Sequence, residues 1–184
     1  MKLIQNIKHA AGVRTLFKEP EGERQCKGMN FHSAQRIGIL YKDEDEPHFN
    51  QIRNYCKSLK DKYDIKSIMV IGYVDLVYKK LPVWQAQKLE YSFFTKDDVN
   101  WQMKPIRHVE PFLQEDFDML IDLSGGNVLP LNFVLKQSRA KMKVGLKGTR
   151  AERFCDFLIE MGANPGLDKF VDQLNLYLSN PKIK

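Results

Sequence analysis

The sequence predicts an α/β fold: a mostly parallel, doubly wound sheet of five or six strands, Rossmann-like or flavodoxin-like, covered by helices on both faces. Short apolar runs alternate along the chain with segments of helical periodicity. The run from Ser67 to Tyr73 is apolar at odd and even positions, as in a strand buried on both faces. The run from Arg36 to Tyr41 is followed by acids and by Pro47, which is typical of a strand that leads into a helix.

The other elements are predicted from periodicity and turn residues. Residues 2–18 have the 3.6-residue period of an amphipathic helix, which ends at Glu19-Pro20. The next segment has no period and is predicted to be a linker, so that residues 1–34 form the helix with its linker and residues 35–184 a single α/β domain. Later strands are predicted at 91–95, 117–123, 142–146 and 154–160, helices at 49–63, 107–113, 129–138 and 167–178, and an irregular crossover at 75–88.

Length and composition fit one globular core and exclude several classes of protein. The chain has 184 residues, of which 43% are hydrophobic and 28% charged, as is usual for a folded domain. Its longest apolar runs, such as Ser67 to Val74, are shorter than the about 20 residues of a membrane-spanning helix, and residues 1–20 lack the apolar stretch of a secretory signal. Cys26, Cys56 and Cys155 show no CxxC spacing. We therefore expect a cytoplasmic protein without disulfides, a metal site or a cofactor.

The net charge of +6 is concentrated in one segment. Residues 136–153 contain seven basic side chains and one acidic side chain, an excess equal to that of the whole chain. Lys141, Lys143 and Lys147 alternate with apolar residues there, so the lysines are expected to share one face of a strand. We interpret that face as a solvated one that discourages aggregation, with a phosphate-binding patch as the alternative. Because no aromatic residues alternate with the lysines, we do not expect nucleic-acid binding.

A loop rich in glycine is the first candidate ligand site. In open α/β sheets, ligands bind beyond the carboxyl ends of the strands, near the point where the strand order reverses. Ser124-Gly125-Gly126-Asn127 follows a predicted strand and precedes a predicted helix. Glycine lets the backbone approach a ligand there, and the N–H groups of a helix start favour anions. The loop matches neither GxGxxG nor the P-loop pattern, so a tight structural turn is the alternative interpretation.

Two further loops lie at predicted carboxyl ends of strands. The acidic run at 43–46 contains Asp43 and Asp45, whose carboxylates are able to hold Mg²⁺, although capping of the next helix explains the same acids. Asn100 and Trp101 follow the third predicted strand and offer a polar group and a flat apolar surface to a ligand. We nevertheless expect Trp101 to lie in the core, since Trp is highly buried on average.

No catalytic constellation is recognisable, and no catalytic residue is predicted. The four histidines form no HxxxH or HExxH pair, and Ser124 lies in a DLSGG context rather than in the GxSxG of a nucleophile elbow. Cys56 and Cys155 fall in a predicted helix and a predicted strand, where a free cysteine behaves as a small buried hydrophobe. These patterns disfavour a hydrolase.

The run from Phe117 to Gly145, FDMLIDLSGGNVLPLNFVLKQSRAKMKVG, with FFTKDDVNW before it, resembles a family of small bacterial α/β proteins of unknown function. The resemblance covers roughly residues 35–180, most recognisably in FDxLIDLS and SRAKxKVG, and it implies a fold rather than an activity. The same run is faintly similar to the N-terminal half of heptosyltransferase-type glycosyltransferases, through Asp122, Arg139 and Gly145. Those enzymes bind their nucleotide-sugar largely through a second domain, so the similarity implies no transferase activity for this chain alone.

Two functional hypotheses follow from these patterns. The leading one is a non-enzymatic binding or interaction module for a small anionic ligand or a protein partner. The alternative is an enzyme acting on a nucleotide or a phosphorylated small molecule at the carboxyl edge of the sheet. In that case the loop from Ser124 to Asn127 would cradle phosphate while Asp43 or Asp45 holds a metal ion, which requires the two loops to be neighbours.

The helix at residues 2–18 raises a separate question about partners. Its apolar side chains, including Leu3, Ile4, Ile7 and Phe17, lie close to one helical face. We expect that face to dock on the helix's own domain or on a second subunit, which would make a homo-oligomer. Weak peripheral contact with a membrane surface is the alternative, because basic side chains flank the apolar stripe.

Overall fold

The computed structural model of the protein describes residues 2–81, 91–162 and 166–181. In these residues the strands are β1 (Arg36–Asp43), β2 (Ser67–Val74), β3 (Tyr91–Thr95), β4 (Met119–Asp122), β5 (Met142–Leu146) and β6 (Phe157–Ile159). The helices are α1 (Lys2–Lys18), α2 (Glu46–Tyr63), α3 (Glu110–Leu113), α4 (Leu129–Gln137) and α5 (Leu167–Leu178). Short 3-10 segments lie at Tyr78–Lys80, Lys96–Asp98 and Arg150–Phe154.

All of these strands belong to one parallel sheet, in the order β3-β2-β1-β4-β5-β6. The chain begins in the middle with β1 and winds outward to β3, then returns to β4 and winds outward to β6 on the other side. β1 therefore pairs with both β2 and β4, with Leu40 opposite Ile71 and Asp122. The strand order reverses between β1 and β4, where open α/β sheets form a crevice. The predicted doubly wound, mostly parallel sheet is confirmed.

Helices cover both faces of the sheet, because alternate strand residues point to opposite faces. On one face α2 and α5 pack over Ile39 and Ile121. On the other face α1, α3, α4 and the last 3-10 segment pack over Leu40 and Leu120. The helix that follows β1 and the helix that follows β4 thus leave the sheet on opposite sides, which keeps the crevice between these strands open.

Several predicted elements are shorter in the structure, although α5 has the predicted bounds. β4 and α3 occupy only parts of their predicted segments. The sixth strand begins at Phe157, because Phe154 belongs to a 3-10 segment and the chain reaches β5 only at Asp156, whose carboxylate accepts the Lys143 N–H. Cys155 therefore precedes the strand instead of lying in it. Of the predicted crossover at 75–88, residues 82–88 lie outside the described residues.

The segment between α1 and β1, predicted as a linker, is held against the sheet and α5. Arg24 donates two hydrogen bonds of 2.7 Å to the Asp156 carboxylate. Phe31 is buried, and its N–H donates to the Leu178 carbonyl at the end of α5. Burial of Phe31 and the bidentate ion pair between Arg24 and Asp156 therefore hold this segment in place on the fold.

The helix predicted at residues 2–18 is present as α1, but it packs through a different face from the one expected. Gly12 and Leu16 are buried against the protein's own chain. The apolar side chains of Leu3, Ile4 and Ile7 are exposed. The helix therefore docks on its own chain and covers the predicted apolar stripe only at Phe17, whose ring stacks on the Phe154 ring at 5.7 Å. Among the described helices, none has the length and apolar character needed to cross a membrane.

The lysine-rich strand β5 lies inside the sheet rather than at its exposed edge. All five of its residues are buried, and Lys143 is 0% exposed. The Lys143 ammonium donates a hydrogen bond of 3.1 Å to the Lys136 carbonyl in α4, while Lys141 and Lys147 form ion pairs on either side of the strand. The prediction that this face of the strand is solvated is wrong for Lys143. Alternation along a strand shows which side chains share a face, but it does not show whether a helix covers that face.

The buried amine of Lys143 makes stability depend on pH. Burial lowers the pKa of Lys143 to about 8, so the folded protein releases this proton at a lower pH than the unfolded chain does. Raising the pH from 7 to 9 therefore stabilises the wild type relative to Lys143→Met, by about 1 kcal/mol. Chemical denaturation at several pH values measures this difference, with Lys141→Met, which removes a solvent-accessible amine, as the control. Parallel pH profiles for the wild type and Lys143→Met would contradict the prediction.

Candidate functional site

A cavity of about 460 Å³ lies at the carboxyl edge of the sheet, where the strand order reverses between β1 and β4. The end of β1 and the start of α2 form one wall, the loop after β4 forms another, and the start of α5 forms a third. The polar side chains among its lining residues belong to Lys42, Glu44, Asp45, His48, Gln51 and Ser124. The structure thus brings together the acidic loop and the glycine loop, two of the three predicted loops.

Asp122 holds the glycine loop in place. At the end of β4 its buried Oδ1 accepts hydrogen bonds from the Ser124 N–H at 2.9 Å and from the Ser124 hydroxyl at 2.5 Å. Its Oδ2 has no hydrogen-bond partner among the described residues. Burial raises the pKa of Asp122, and the two bonds from Ser124 oppose that rise in part. Ser124 is therefore positioned by a carboxylate that lies beneath the loop.

The four predicted residues of the glycine loop have different roles. Gly125 and Gly126 have φ angles of 79° and 74°, a left-handed conformation that favours glycine. A Cβ on Gly125 would meet nothing within 4 Å, whereas a Cβ on Gly126 would lie 2.2 Å from the Thr149 Oγ1. The Asn127 Oδ1 accepts the Arg150 N–H at 3.1 Å. The first half of the loop consequently lies open to the cavity, and the second half packs against the segment after β5.

The acidic loop supplies charged groups to the same cavity. The Asp45 carboxylate caps α2 by accepting the His48 N–H at 2.8 Å. Glu44 forms an ion pair of 2.7 Å with Lys42. The buried Nδ1 of His48 has no hydrogen-bond partner among the described residues. Sequence patterns did not single out Lys42 or His48, because only the fold shows that the first turn of α2 faces the β4 loop.

Asp43, predicted as a ligand residue, lies next to the cavity lining but not in it. It is buried and is not among the residues that line the cavity. Its carboxylate accepts a hydrogen bond from the Tyr41 hydroxyl, and burial followed by the charge of this carboxylate raises the pKa of Tyr41. The Tyr41 ring lies over Gly72, where a Cβ would come within 2.5 Å of the ring. Asp43 therefore belongs to the packing beneath α2.

Two helices begin at the cavity. Helix N-termini carry N–H groups without intrahelical partners and a partial positive charge. Asp45 caps the first turn of α2, whereas Gly166, the cap residue of α5, has no side chain with which to do so. Both Gly166 and Leu167 line the cavity. The cavity thus combines helix N-termini with carboxylates and one lysine, a mixed polar environment suited to a ligand that carries both negative charge and hydroxyl groups.

The third predicted loop lies elsewhere, at a second cavity of about 680 Å³ between α1 and the ends of β2 and β3. The Asn100 Oδ1 accepts the N–H groups of Gln102 at 2.9 Å and Lys104 at 3.0 Å, so this side chain closes its own turn. Trp101 stands at the tip of the turn and is 58% exposed. The expectation that Trp101 lies in the core is wrong, because the turn directs its side chain away from the sheet.

Among the described residues, no cluster of three or more His, Cys, Asp or Glu side chains is arranged to hold a metal ion. Cys56 is buried in α2. The Cys155 Sγ occupies the space beside Gly145, where a Cβ would lie 2.7 Å from it, and burial raises the pKa of this thiol. A thiol with a raised pKa stays protonated at neutral pH and is a poor nucleophile.

Comparison with known proteins identifies the family. The model of the family described as "Family of unknown function (DUF6913)" matches residues 9–180, so the chain belongs to this family. No match was found among curated proteins. Among solved structures, one described as "Crystal Structure of TarM" is similar, with a TM-score of 0.41 and 13% sequence identity. The similarity covers 86% of this chain but only 30% of TarM. The resemblance to a family of unknown function is confirmed.

Substitution of Asp122 tests how the glycine loop is held. We expect Asp122→Asn to be more stable than the wild type at pH 7, because the amide still accepts from Ser124 and removes a buried charge. Burial raises the pKa of Asp122 in the folded state. The wild type therefore gains stability as the pH falls toward the pKa of the carboxyl in the unfolded chain, and the stability difference between Asp122→Asn and the wild type shrinks. Asp122→Ala removes the acceptor and should cost about 1–3 kcal/mol. Urea denaturation between pH 4 and 7 measures the free energy of unfolding of each protein. Equal destabilisation of Asp122→Asn and Asp122→Ala would contradict this account.

Proposed function

We propose that this member of the DUF6913 family is a binding module that holds a small phosphorylated molecule in the cavity between β1 and β4. One observation carries the proposal: the acidic loop and the glycine loop line a single cavity at the point where the strand order reverses. Ligands of open α/β sheets bind in that position because the flanking loops diverge there. Three free cysteines agree with a cytoplasmic location for this binding.

The anionic part of the ligand is expected next to Gly125 and the start of α5. No atom would crowd a Cβ on Gly125, so phosphate oxygens are able to approach the backbone there. The first turn of α5 adds N–H groups and the positive end of a helix dipole, which favour an anion. The Ser124 hydroxyl donates to Asp122, which leaves its oxygen lone pairs for a donor on the ligand.

The polar, uncharged part of the ligand is expected next to the start of α2. Asp45 and Glu44 line this side and are hydrogen-bond acceptors when ionised. Sugar hydroxyl groups are donors that match these acceptors, whereas a second phosphate would be repelled by them. Lys42 offsets part of this negative charge through its pair with Glu44. A sugar phosphate or a nucleotide satisfies both sides of the cavity.

Binding without turnover is favoured by the partners of the side chains that line the cavity. The Ser124 hydroxyl donates to the buried Asp122 carboxylate, a bond that holds the glycine loop in place. The Asp45 carboxylate is occupied in capping α2. No cluster of metal-ligating side chains meets at the cavity among the described residues.

The alternative is an enzyme that acts on a nucleotide or a phosphorylated small molecule. It required the glycine loop and the acidic loop to be neighbours, and Ser124 and Asp45 line the same cavity. His48, with a buried Nδ1 that has no hydrogen-bond partner among the described residues, is a further candidate for proton transfer. Turnover of a bound nucleotide or sugar phosphate that is lost in both Asp45→Asn and His48→Gln would favour the enzyme.

A thermal-shift screen tests the proposed site. Nucleoside mono- and diphosphates, sugar nucleotides, sugar phosphates and pyrophosphate are the probes, since a ligand at 100 times its Kd adds about 2.7 kcal/mol of stability. We expect at least one probe to raise Tm in the wild type. Gly125→Asp should abolish the shift because its carboxylate repels the phosphate. Gly125→Asn is the matched control, equal in size and tolerant of the same positive φ, and it should retain most of the shift.

Three outcomes would count against the proposal. A flat screen with every phosphorylated probe would remove the support for a small anionic ligand. Equal shifts in Gly125→Asp and Gly125→Asn would place the anion away from the glycine loop. A shift that disappears on changing Trp101 but not on changing Gly125 would assign the ligand to the second cavity.

A further inference from the structure

α1 is fixed on the protein by contacts along one side. Leu16 is 0% exposed, and a Cβ on Gly12 would come within 2.1 Å of the Gln102 carbonyl oxygen, so the helix backbone lies directly on the turn at 100–104. The Gln102 amide donates to the Thr15 hydroxyl at 2.7 Å. The buried Lys136 ammonium donates to the carbonyls at the end of the helix, where a cation is favourable. These contacts determine which side of α1 faces outward.

The outward side carries an apolar patch that nothing in the described residues covers. Leu3, Ile4 and Ile7 are 73%, 61% and 57% exposed. At about 100° per residue they lie on the side of the helix roughly opposite Gly12 and Leu16. Docking and membrane contact are alternatives if both need the same apolar stripe. The structure separates them, because the helix docks through one side and leaves the aliphatic side chains on the other.

The charges of α1 identify the kind of surface that this patch fits. The helix contains no Asp or Glu, and its basic side chains Lys8, Arg14 and Lys18 are exposed. Two copies of the patch placed face to face would bring like charges together, and neither helix has an acidic side chain to neutralise them. An anionic lipid surface supplies both the apolar layer for the aliphatic side chains and the negative charge for the cations.

Trp101 is not part of this patch. It borders the second cavity together with Gln5 and His9, which lie on the side of α1 that faces the protein. The patch therefore consists of the outward aliphatic side chains of α1.

We infer that the outward face of α1, defined by Leu3, Ile4 and Ile7, docks the protein on anionic membrane surfaces. The helix lies in the plane of the interface and does not cross it. A helix with three exposed aliphatic side chains binds lipid weakly and reversibly unless anionic lipids add attraction. This inference does not depend on the ligand cavity, which lies between β1 and β4.

Vesicle sedimentation of the full chain tests the inference. Vesicles of phosphatidylcholine alone and of phosphatidylcholine mixed with phosphatidylserine are the two surfaces. The wild type should pellet with the mixed vesicles and not with phosphatidylcholine alone, and added salt should reduce pelleting because screening weakens the attraction. The triple variant Leu3→Gln, Ile4→Gln, Ile7→Gln should lower the apparent affinity roughly tenfold or more, since it removes the apolar contact and keeps good helix formers.

Matched controls distinguish binding through α1 from nonspecific adsorption of the protein to vesicles. Leu176→Gln changes an aliphatic side chain on α5 that is 64% exposed and should pellet like the wild type. Arg14→Glu with Lys18→Glu should abolish binding to the mixed vesicles, whereas Lys57→Glu, at an exposed position on α2, should not. The charge variants decide the question even if the triple variant folds poorly.

Two results would overturn the inference. Equal pelleting of the wild type and the charge-reversed variant would show that α1 does not bind lipid. A wild-type dimer in light scattering that becomes a monomer in the triple variant, with no pelleting on either vesicle, would assign the patch to a second copy of the chain.

Discussion

The reversal of strand order between β1 and β4 is the constraint on which the rest of the structure depends. β1 pairs with strands on both sides, and the chain leaves β1 and β4 toward opposite faces of the sheet. The carboxyl ends of these two strands are therefore adjacent while the segments that follow them diverge. The cavity is the space left by that divergence, closed on its third side by the start of α5. The proposed ligand site thus follows from topology before any particular side chain is considered.

Burial of the sheet on both faces decides how its polar residues are used. Three ionisable side chains are buried on strands whose other buried residues are mostly apolar: Asp43, Asp122 and Lys143. Asp122 holds Ser124, and Asp43 accepts from Tyr41. Each buried carboxylate thus supports a neighbouring residue near the carboxyl edge of the sheet. The groups that remain for a ligand are those one or two positions further along each loop.

Periodicity and turn residues predicted the doubly wound sheet, the bounds of α5 and the two loops that meet at the cavity. They failed for β5 and α1, because alternation shows which residues share a face but not which face is covered: Lys143 lies under α4, and Leu3 faces outward. The prediction that Trp101 lies in the core was wrong because the turn closed by Asn100, rather than the hydrophobicity of the ring, sets the direction of its side chain. His48 and Gly166 are far apart in sequence, and no local pattern reveals that α2 and α5 begin at one cavity.

Mapping of amide chemical shifts during titration with ADP and with pyrophosphate tests the central claim most directly. It reports the position of a weakly bound ligand without requiring any activity. The account predicts perturbations at Ser124, Gly125, His48 and Leu167, with ADP affecting the start of α2 more than pyrophosphate does. Perturbations confined to Trp101 and the first half of α1, or none for either probe, would contradict the claim that the crevice between β1 and β4 is the ligand site.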